Sequence, residues 1–142
     1  YLLAQRSPQK GVVFVGGRRR VDILCEAEFR ALGWEVRATT EDGSHGEKGL
    51  VTQALKTELE RHAPGRKLFA CGPTLMLKAV GRLAAEFNLP AELSLDEHMG
   101  CGIGVCLTCV VPIKAGEGWE YQRTCTEGPV FDSREVAWEA AE

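Results

Sequence analysis

The sequence has no long apolar run. Stretches such as Val12 to Val15 are only a few residues, far short of the roughly 20 that a membrane-spanning helix needs. The N-terminus also lacks the charged, apolar and small-residue blocks of a signal peptide. No membrane partner is expected, and the predicted location is the cytoplasm. Basic excess is missing too: 17 lysines and arginines face 20 aspartates and glutamates, for a net charge of −3. That leaves no electrostatic footprint for nucleic acid. A G-x-G-x-x-G stretch is absent, so there is no standard Rossmann fingerprint. Neither a nucleophile elbow nor a metal-binding histidine pair supports hydrolase chemistry, and internal repeats, low-complexity tracts and Ser/Gly linkers are lacking.

What is present is 142 residues, 44% hydrophobic and 26% charged. Such a chain buries roughly two thirds of its unfolded surface without crosslinks. In a reducing compartment its six cysteines are expected to be ligands or buried thiols rather than disulfides. The first residue is Tyr1, inside what reads as a helix, which points to a fragment or a trimmed chain.

Up to about residue 95, short β-rich runs alternate with helical patterns. Val12 to Val15 precede a helix over Val21 to Leu32; Trp34 to Thr39 precede Leu50 to Arg61; Lys67 to Ala70 precede Thr74 to Phe87; Glu92 to Leu95 follow. That alternation predicts an α/β domain with a parallel nucleotide-binding sheet. Asp22 is placed to cap the first of these helices and Gly33 to end it. Cys25 falls on that helix's apolar side and reads as an inert core thiol. Pro73 opens the third helix, where its missing N–H costs nothing. After residue 95 the chain turns to glycine, cysteine and β-branched residues, with a hairpin predicted between Val110 to Ile113 and Tyr121 to Arg123. The expected division is residues 1–95 for the nucleotide domain and residues 96–142 for a small loop-rich β module.

Four of the six cysteines occupy that module, spaced Cys101-x4-Cys106-x2-Cys109-x15-Cys125. C-x4-C-x2-C with a distant fourth cysteine is the plant-type arrangement for a [2Fe–2S] cluster. Gly100, Gly102 and Gly104 let the backbone pass close to a cluster with N–H groups aimed at sulfur, which helps to set its reduction potential. A structural zinc site is the alternative, but zinc ribbons favour two short cysteine pairs from two sides of a fold. His98 precedes Cys101 by three residues, yet four cysteines already complete a ligand set.

Ligands of parallel sheets bind outside the C-terminal ends of the strands. The loop from Gly16 to Arg20 could approach an anion there, or could be a solvated basic loop. Thr40 to Gly46 is turn chemistry whose carboxylates, Glu41 and Asp42, would repel an extra phosphate; His45 within it reads as solvated. Cys71-Gly72-Pro73-Thr74 brings a strand end onto a helix N-terminus, whose free N–H groups suit phosphate or amide oxygens.

Cys71-Gly72-Pro73 with Met76-Leu77-Lys78-Ala79 resembles the nicotinamide-side motif of the ferredoxin reductase superfamily. The stretch Ser94 to Cys109, with Cys125-Thr126-Glu127-Gly128-Pro129-Val130-Phe131-Asp132, resembles the dihydroorotate dehydrogenase electron transfer subunits. Related subunits of sulfhydrogenases and of NADH-dependent ferredoxin:NADP oxidoreductases share the layout. The resemblance implies an FAD-binding barrel, then an NAD-binding domain, then a [2Fe–2S] module. Here the barrel is missing, and so is the first strand of the nucleotide domain with its Gly-rich turn. Residues 12–15 and 67–70 are then expected either to pair directly or to flank a gap, and FAD binding by this chain alone is not expected.

The resemblance further implies that Cys101, Cys106, Cys109 and Cys125 hold the irons and that Cys71 and Gly72 lie by the nicotinamide. Asp22 would accept the adenosine ribose hydroxyls; a simple helix cap is its other reading. The carboxylates favour NAD over NADP, although the neighbouring arginines pull the other way. The expected function is electron relay from the FMN of a catalytic dihydroorotate dehydrogenase partner, through the cluster and FAD, to NAD+ in pyrimidine biosynthesis. A zinc-stabilised nucleotide-binding module is the non-redox alternative.

Overall fold

The computed structural model describes residues 1–62 and 64–141 of the chain. Two compact units emerge, Tyr1–His62 and Ala63–Glu142.

In the first unit, helix α1 (Leu2–Arg6) leads into strand β1 (Val12–Gly17), helix α2 (Glu26–Ala31), strand β2 (Glu35–Thr40), a two-residue strand β3 (Glu47–Lys48) and helix α3 (Val51–His62). β1 and β2 run parallel, from Val12 opposite Glu35 to Gly17 opposite Thr40, and β3 continues the sheet beside Thr39 and Thr40. Ala54 and Glu58, four residues apart on one face of α3, are buried together with the neighbouring Leu59. Gly16 sits so close to α3 that a Cβ there would stand 2.7 Å from the Cβ of Val51. Trp34 donates its indole N–H to the Ala4 carbonyl at 3.1 Å, and Tyr1 meets Phe29 edge-on, which ties α1 down.

The helix expected over Val21 to Leu32 is shorter, because Asp22 does something else. Its carboxylate accepts the Arg19 N–H at 2.9 Å and closes a 3-10 turn over Arg20–Asp22, so it caps no part of α2. Cys25 precedes α2 with φ of 59° and is exposed rather than buried in a core. Val21 and Leu24 are also exposed; no apolar face forms over those residues to hold a longer helix. Gly33 ends α2 as expected, at φ of +81°.

The second unit holds strand β4 (Leu68–Cys71), helix α4 (Thr74–Glu86), strand β5 (Ala91–Ser94), strands β6 (Val110–Ala115) and β7 (Gly118–Arg123), and strand β8 (Val130–Asp132). β4 and β5 are parallel, and β8 lies antiparallel on the other side of β5. Ala91, Leu93 and Leu95 alternate into the core, as a strand of period two requires. Leu93 faces Phe131 across the ladder. Leu77, Val80 and Ala84 cover them from α4, all buried, with Pro73 at its N-cap as the sequence predicts. Full burial of one such leucine contributes about 2 kcal/mol. The predicted hairpin forms as β6 and β7, from Val110 opposite Arg123 to Ala115 opposite Gly118. Val136 is buried and bridges to Ile113, so it is packed within the fold and not offered to a partner.

By packing, the chain divides between His62 and Ala63, with β8 paired to β5 inside the second unit. The cysteine-rich segment returns a strand to the β4–β5 sheet, which makes residues 64–95 part of its packing unit. Direct pairing of residues 12–15 with 67–70 does not occur: β1 pairs only with β2 and β4 only with β5 among the described residues.

Candidate functional site

The C-terminal end of the β1–β2 sheet gathers three of the predicted nucleotide residues. Gly16 stands exposed near the end of β1, Asp22 closes the following 3-10 turn, and Asp42 follows β2. The two loops are knitted together. Arg20 donates its N–H to the Ser44 hydroxyl at 2.8 Å, and the N–H groups of Glu41 and Asp42 reach the carbonyls of Gly17 and Arg18. The Asp42 carboxylate accepts the Ser44 N–H at 2.8 Å. Bonding from the Ser44 side chain and backbone lowers its pKa, which keeps this edge anionic. His45 is not solvated: its Nε2 lies 2.7 Å from Glu26 Oε2, and that bond holds the Glu26 carboxyl below its ordinary range.

In the second unit, Cys71 ends β4 beside Ser94 of β5, and β5 runs on toward the segment that carries the four cysteines. Cys71 is exposed. Gly72 adopts φ of +152°, and Pro73 turns the chain directly into α4. That is the strand-to-helix junction expected of an anion or amide site.

The four module cysteines arrive in two pairs. Beside the Ile103 N–H, the Cys106 thiol helps to hold Cys101 below the ordinary thiol range, and Cys109 and Cys125 shift each other in opposite directions. Two thiol pairs are the donor set of a dinuclear cluster, in which each of two irons takes two thiolates. The surrounding loop provides the donors that such a group needs. The backbone N–H of Ile103, followed by those of Cys106 and Val105, points at Cys101 and lowers its pKa to about 6; a thiolate is the ligating form. Gly104, at φ of +83°, turns the loop back so that its N–H serves Cys125. Within the second pair the interaction with Cys109 raises the Cys125 pKa, while that with Cys125 lowers the Cys109 pKa. Gly100 is required sterically: a Cβ would approach the Cys106 sulfur to 3.0 Å.

The third and fourth ligand positions are joined by backbone, since Thr124 N–H donates to the Cys109 carbonyl at 2.9 Å. The Thr124 side chain is buried beside these two candidate ligands, and after the bonds from Cys125 its hydroxyl also helps to hold the Cys109 thiol low. Cys109 is buried, Cys125 and Cys101 are half-buried, and Cys106 is exposed, so one end of the site opens outward. Met99, Ile103, Val105 and Leu107 around that opening are each more than half exposed. Four cysteines with backbone N–H and hydroxyl donors at their sulfurs fit a [2Fe–2S] cluster. Spacing alone missed three contributors: Thr108, whose hydroxyl lies 3.1 Å from Cys106 Sγ, Arg123 and Glu127. His98 is exposed.

Residues 1–82 match the oxidoreductase NAD-binding domain. The chain belongs to that family. Residues 96–137 match the iron–sulfur cluster binding domain of dihydroorotate dehydrogenase B. The chain is 42% identical over 89% of its length to the dihydroorotate dehydrogenase B (NAD(+)) electron transfer subunit of Desulforamulus reducens, covering 48% of that protein. Against the subunit of the same name from Caldanaerobacter subterraneus it is 38% identical, with 96% of this chain and 53% of that one aligned. The Bacillus caldolyticus subunit gives 41% identity, with 96% and 51% aligned. The chain thus spans about half the length of the curated relatives it matches. Among solved structures, that of the NADH-dependent reduced ferredoxin-NADP oxidoreductase, described for flavin-based electron bifurcation, superposes with a TM-score of 0.74 at 31% identity, over 91% of this chain and 45% of that one. The α/β nucleotide-binding fold with an appended cluster-type module, expected from sequence, is the architecture observed. No helix among the described residues is long and apolar enough to cross a membrane.

Proposed function

We propose that this chain carries the electron-relay part of a dihydroorotate dehydrogenase electron transfer subunit. In this reading electrons leave the FMN of a catalytic partner and reach NAD+ through the chain's cluster and an FAD, in pyrimidine biosynthesis in the cytoplasm. The observation that carries it is the presence, in one chain, of a segment matching the oxidoreductase NAD-binding domain and of one matching the iron–sulfur binding domain, which holds Cys101, Cys106, Cys109 and Cys125. When bound, the cluster supplies one-electron exchange, NAD a two-electron hydride, and a flavin the conversion between the two.

The chain's residues supply the rest. Residues 96–142 serve the cluster: Cys101 and Cys106 hold one iron and Cys109 and Cys125 the other, while the loop N–H groups and Thr108 donate to the sulfurs. The apolar residues Met99, Ile103, Val105 and Leu107 exclude water at the exposed edge and meet the catalytic partner. Residues 1–95 serve the nucleotide. Cys71, Gly72 and Pro73 receive the nicotinamide side, and Gly16, Asp22 and Asp42 the adenosine side. The fixed negative charge of Asp22 and Asp42 disfavours a 2′-phosphate, which supports NAD over NADP.

Anaerobically prepared protein tests this reading. It should be red-brown, bleach with dithionite and contain about two irons per chain; a colourless protein with one zinc would overturn it. The structural likeness to the ferredoxin-NADP oxidoreductase favours a second reading, a subunit of that kind of complex. Copurification separates the two, by a dihydroorotate-oxidising partner or by one that reduces ferredoxin.

A further inference from the structure

Arg123 and Glu127 flank Cys125 and form a clamp on the cysteine module. The Arg123 guanidinium donates through Nε to Glu127 Oε2 at 2.8 Å and through Nη2 to Glu127 Oε1. Its third arm, Nη1, donates to the Gly104 carbonyl at 3.1 Å. The Arg123 backbone N–H also reaches Glu127 Oε2 at 2.6 Å, and the Arg123 carbonyl accepts the N–H groups of Thr126, Glu127 and Gly128. The turn holding the fourth cysteine is thus wound around Arg123, while the same side chain reaches across 19 positions of sequence to the loop holding the first two. Its positive charge acts on the sulfurs of Cys125 and Cys109.

An isolated surface ion pair contributes little. This one differs in geometry: it is bidentate, both side chains are about two-thirds shielded from solvent, and each partner is also bonded to backbone. A lysine could keep the charge but not the three-way fork.

We propose that Arg123 is a positioning and potential-setting residue for the cluster. Its guanidinium fastens the Cys125 turn to the Cys101–Cys106 loop and favours the more negative, reduced cluster, and Glu127 tempers that charge. The inference rests on the cluster reading above. Charge near a cluster is one of the determinants of its potential, and the two members of the clamp have opposite charge, so their removal has opposite consequences. A purely structural clamp has no such sign.

The test is an EPR-monitored redox titration, with an iron-retention assay under chelator, on the full chain reconstituted anaerobically with iron and sulfide. Glu127→Gln keeps the shape and leaves Arg123 uncompensated, so the potential should rise. Arg123→Gln should lower it. Each shift is expected to be on the order of tenfold in the reduction equilibrium, about 59 mV for one electron. Arg123→Lys should hold the potential near that of the wild type yet lose iron faster, because the bond to Gly104 is gone. Shifts of the same sign in Glu127→Gln and Arg123→Gln, or no shift in either, would overturn the proposal. Should Arg123→Gln fail to load iron, an unchanged potential in Glu127→Gln still overturns it. Wild-type protein that takes up no iron removes the cluster reading itself, a result distinct from two irons with unresponsive variants.

Discussion

The Thr108 hydroxyl lies 3.1 Å from the Cys106 sulfur and donates to it. Cys106 is the most outward of the module's cysteines, and Thr108 reaches it from within the short Cys106-x2-Cys109 loop. A donor to a ligand sulfur stabilises the reduced form of a cluster and raises its potential. Thr108→Val keeps the β-branched shape and deletes the donor. The reconstituted variant should titrate at a lower potential with unchanged iron content, whereas Thr108→Ser should restore it. An unaltered potential in Thr108→Val would mean that the hydroxyl has no part in tuning.

Gly16 has a structural role beside its proposed place at the nucleotide edge. A Cβ there would stand 2.7 Å from the Cβ of Val51 and 3.1 Å from Cγ1. Both contacts involve atoms fixed close to the α3 backbone, so the helix has to move away from β1. Gly16→Ala is therefore expected to destabilise the protein by about 1–3 kcal/mol, the usual consequence of overpacking. Denaturant unfolding followed by circular dichroism measures it. Gly33→Ala is the control: nothing lies within 4 Å of its Cβ, and only the positive φ opposes it.

How much of this was legible in sequence depended on whether local pattern and tertiary packing agreed. Leu77, Val80 and Ala84 carry the helical spacing of α4, and Pro73 and Asn88 punctuate it, so its limits could be read directly. The cysteine spacing likewise named the candidate ligands, since a cluster imposes its own periodicity. Val21 to Leu32 misled because its apolar residues suit a helix while Asp22 bonds the Arg19 N–H about one turn before α2 begins; Val21 and Leu24 are left exposed. The link from β5 to β8 was not readable. Ladder partners far apart in sequence leave no local trace, and that pairing is what joins residues 64–95 to the cysteine module. The Arg123 bond to the Gly104 carbonyl, 19 positions away, was missed for the same reason; Thr108 and Glu127 lie close in sequence to their partners, but nothing in the spacing marks a hydroxyl as a donor to sulfur or a carboxylate as a clamp.

Arg37 and Glu58 supply a third prediction, on stability. Glu58 is buried on α3 and its Oε2 lies 2.8 Å from Arg37 Nη1 on β2, with His62 Nδ1 at 3.4 Å from Oε1. Deleting one partner of a buried pair leaves a charge in a poorly solvated place, which costs more than the pair itself contributes. Arg37 keeps about a third of its side chain exposed, so the effect is smaller than for a fully buried pair. Arg37→Met should lose roughly 2–3 kcal/mol. The double variant Arg37→Met/Glu58→Gln should recover a large part of that, which a pair of denaturant melts would reveal. Equal losses in single and double variants would indicate that packing of the arginine stem, not charge, is what matters.

Asp132 contributes to the acid limb. Hydrogen bonding from Arg134 lowers its pKa from 3.8 to about 2, with the Arg134 backbone N–H and Nε each 2.9 Å from Oδ1. A carboxyl whose folded pKa is depressed binds its proton more readily when unfolded. Its contribution is therefore complete above pH 3.8 and is lost as the pH falls through about 2. Because β8 ends at Asp132 and pairs with β5, that loss loosens the strand joining the cysteine module to the β4–β5 sheet. Asp132→Asn should lower stability at neutral pH by roughly 1 kcal/mol, after allowance for solvent screening. The gap between variant and wild type should close between about pH 4 and pH 2. Unfolding free energies measured across that range decide the matter: a gap that stays constant with pH would assign the effect to the shape of the side chain and not to its charge.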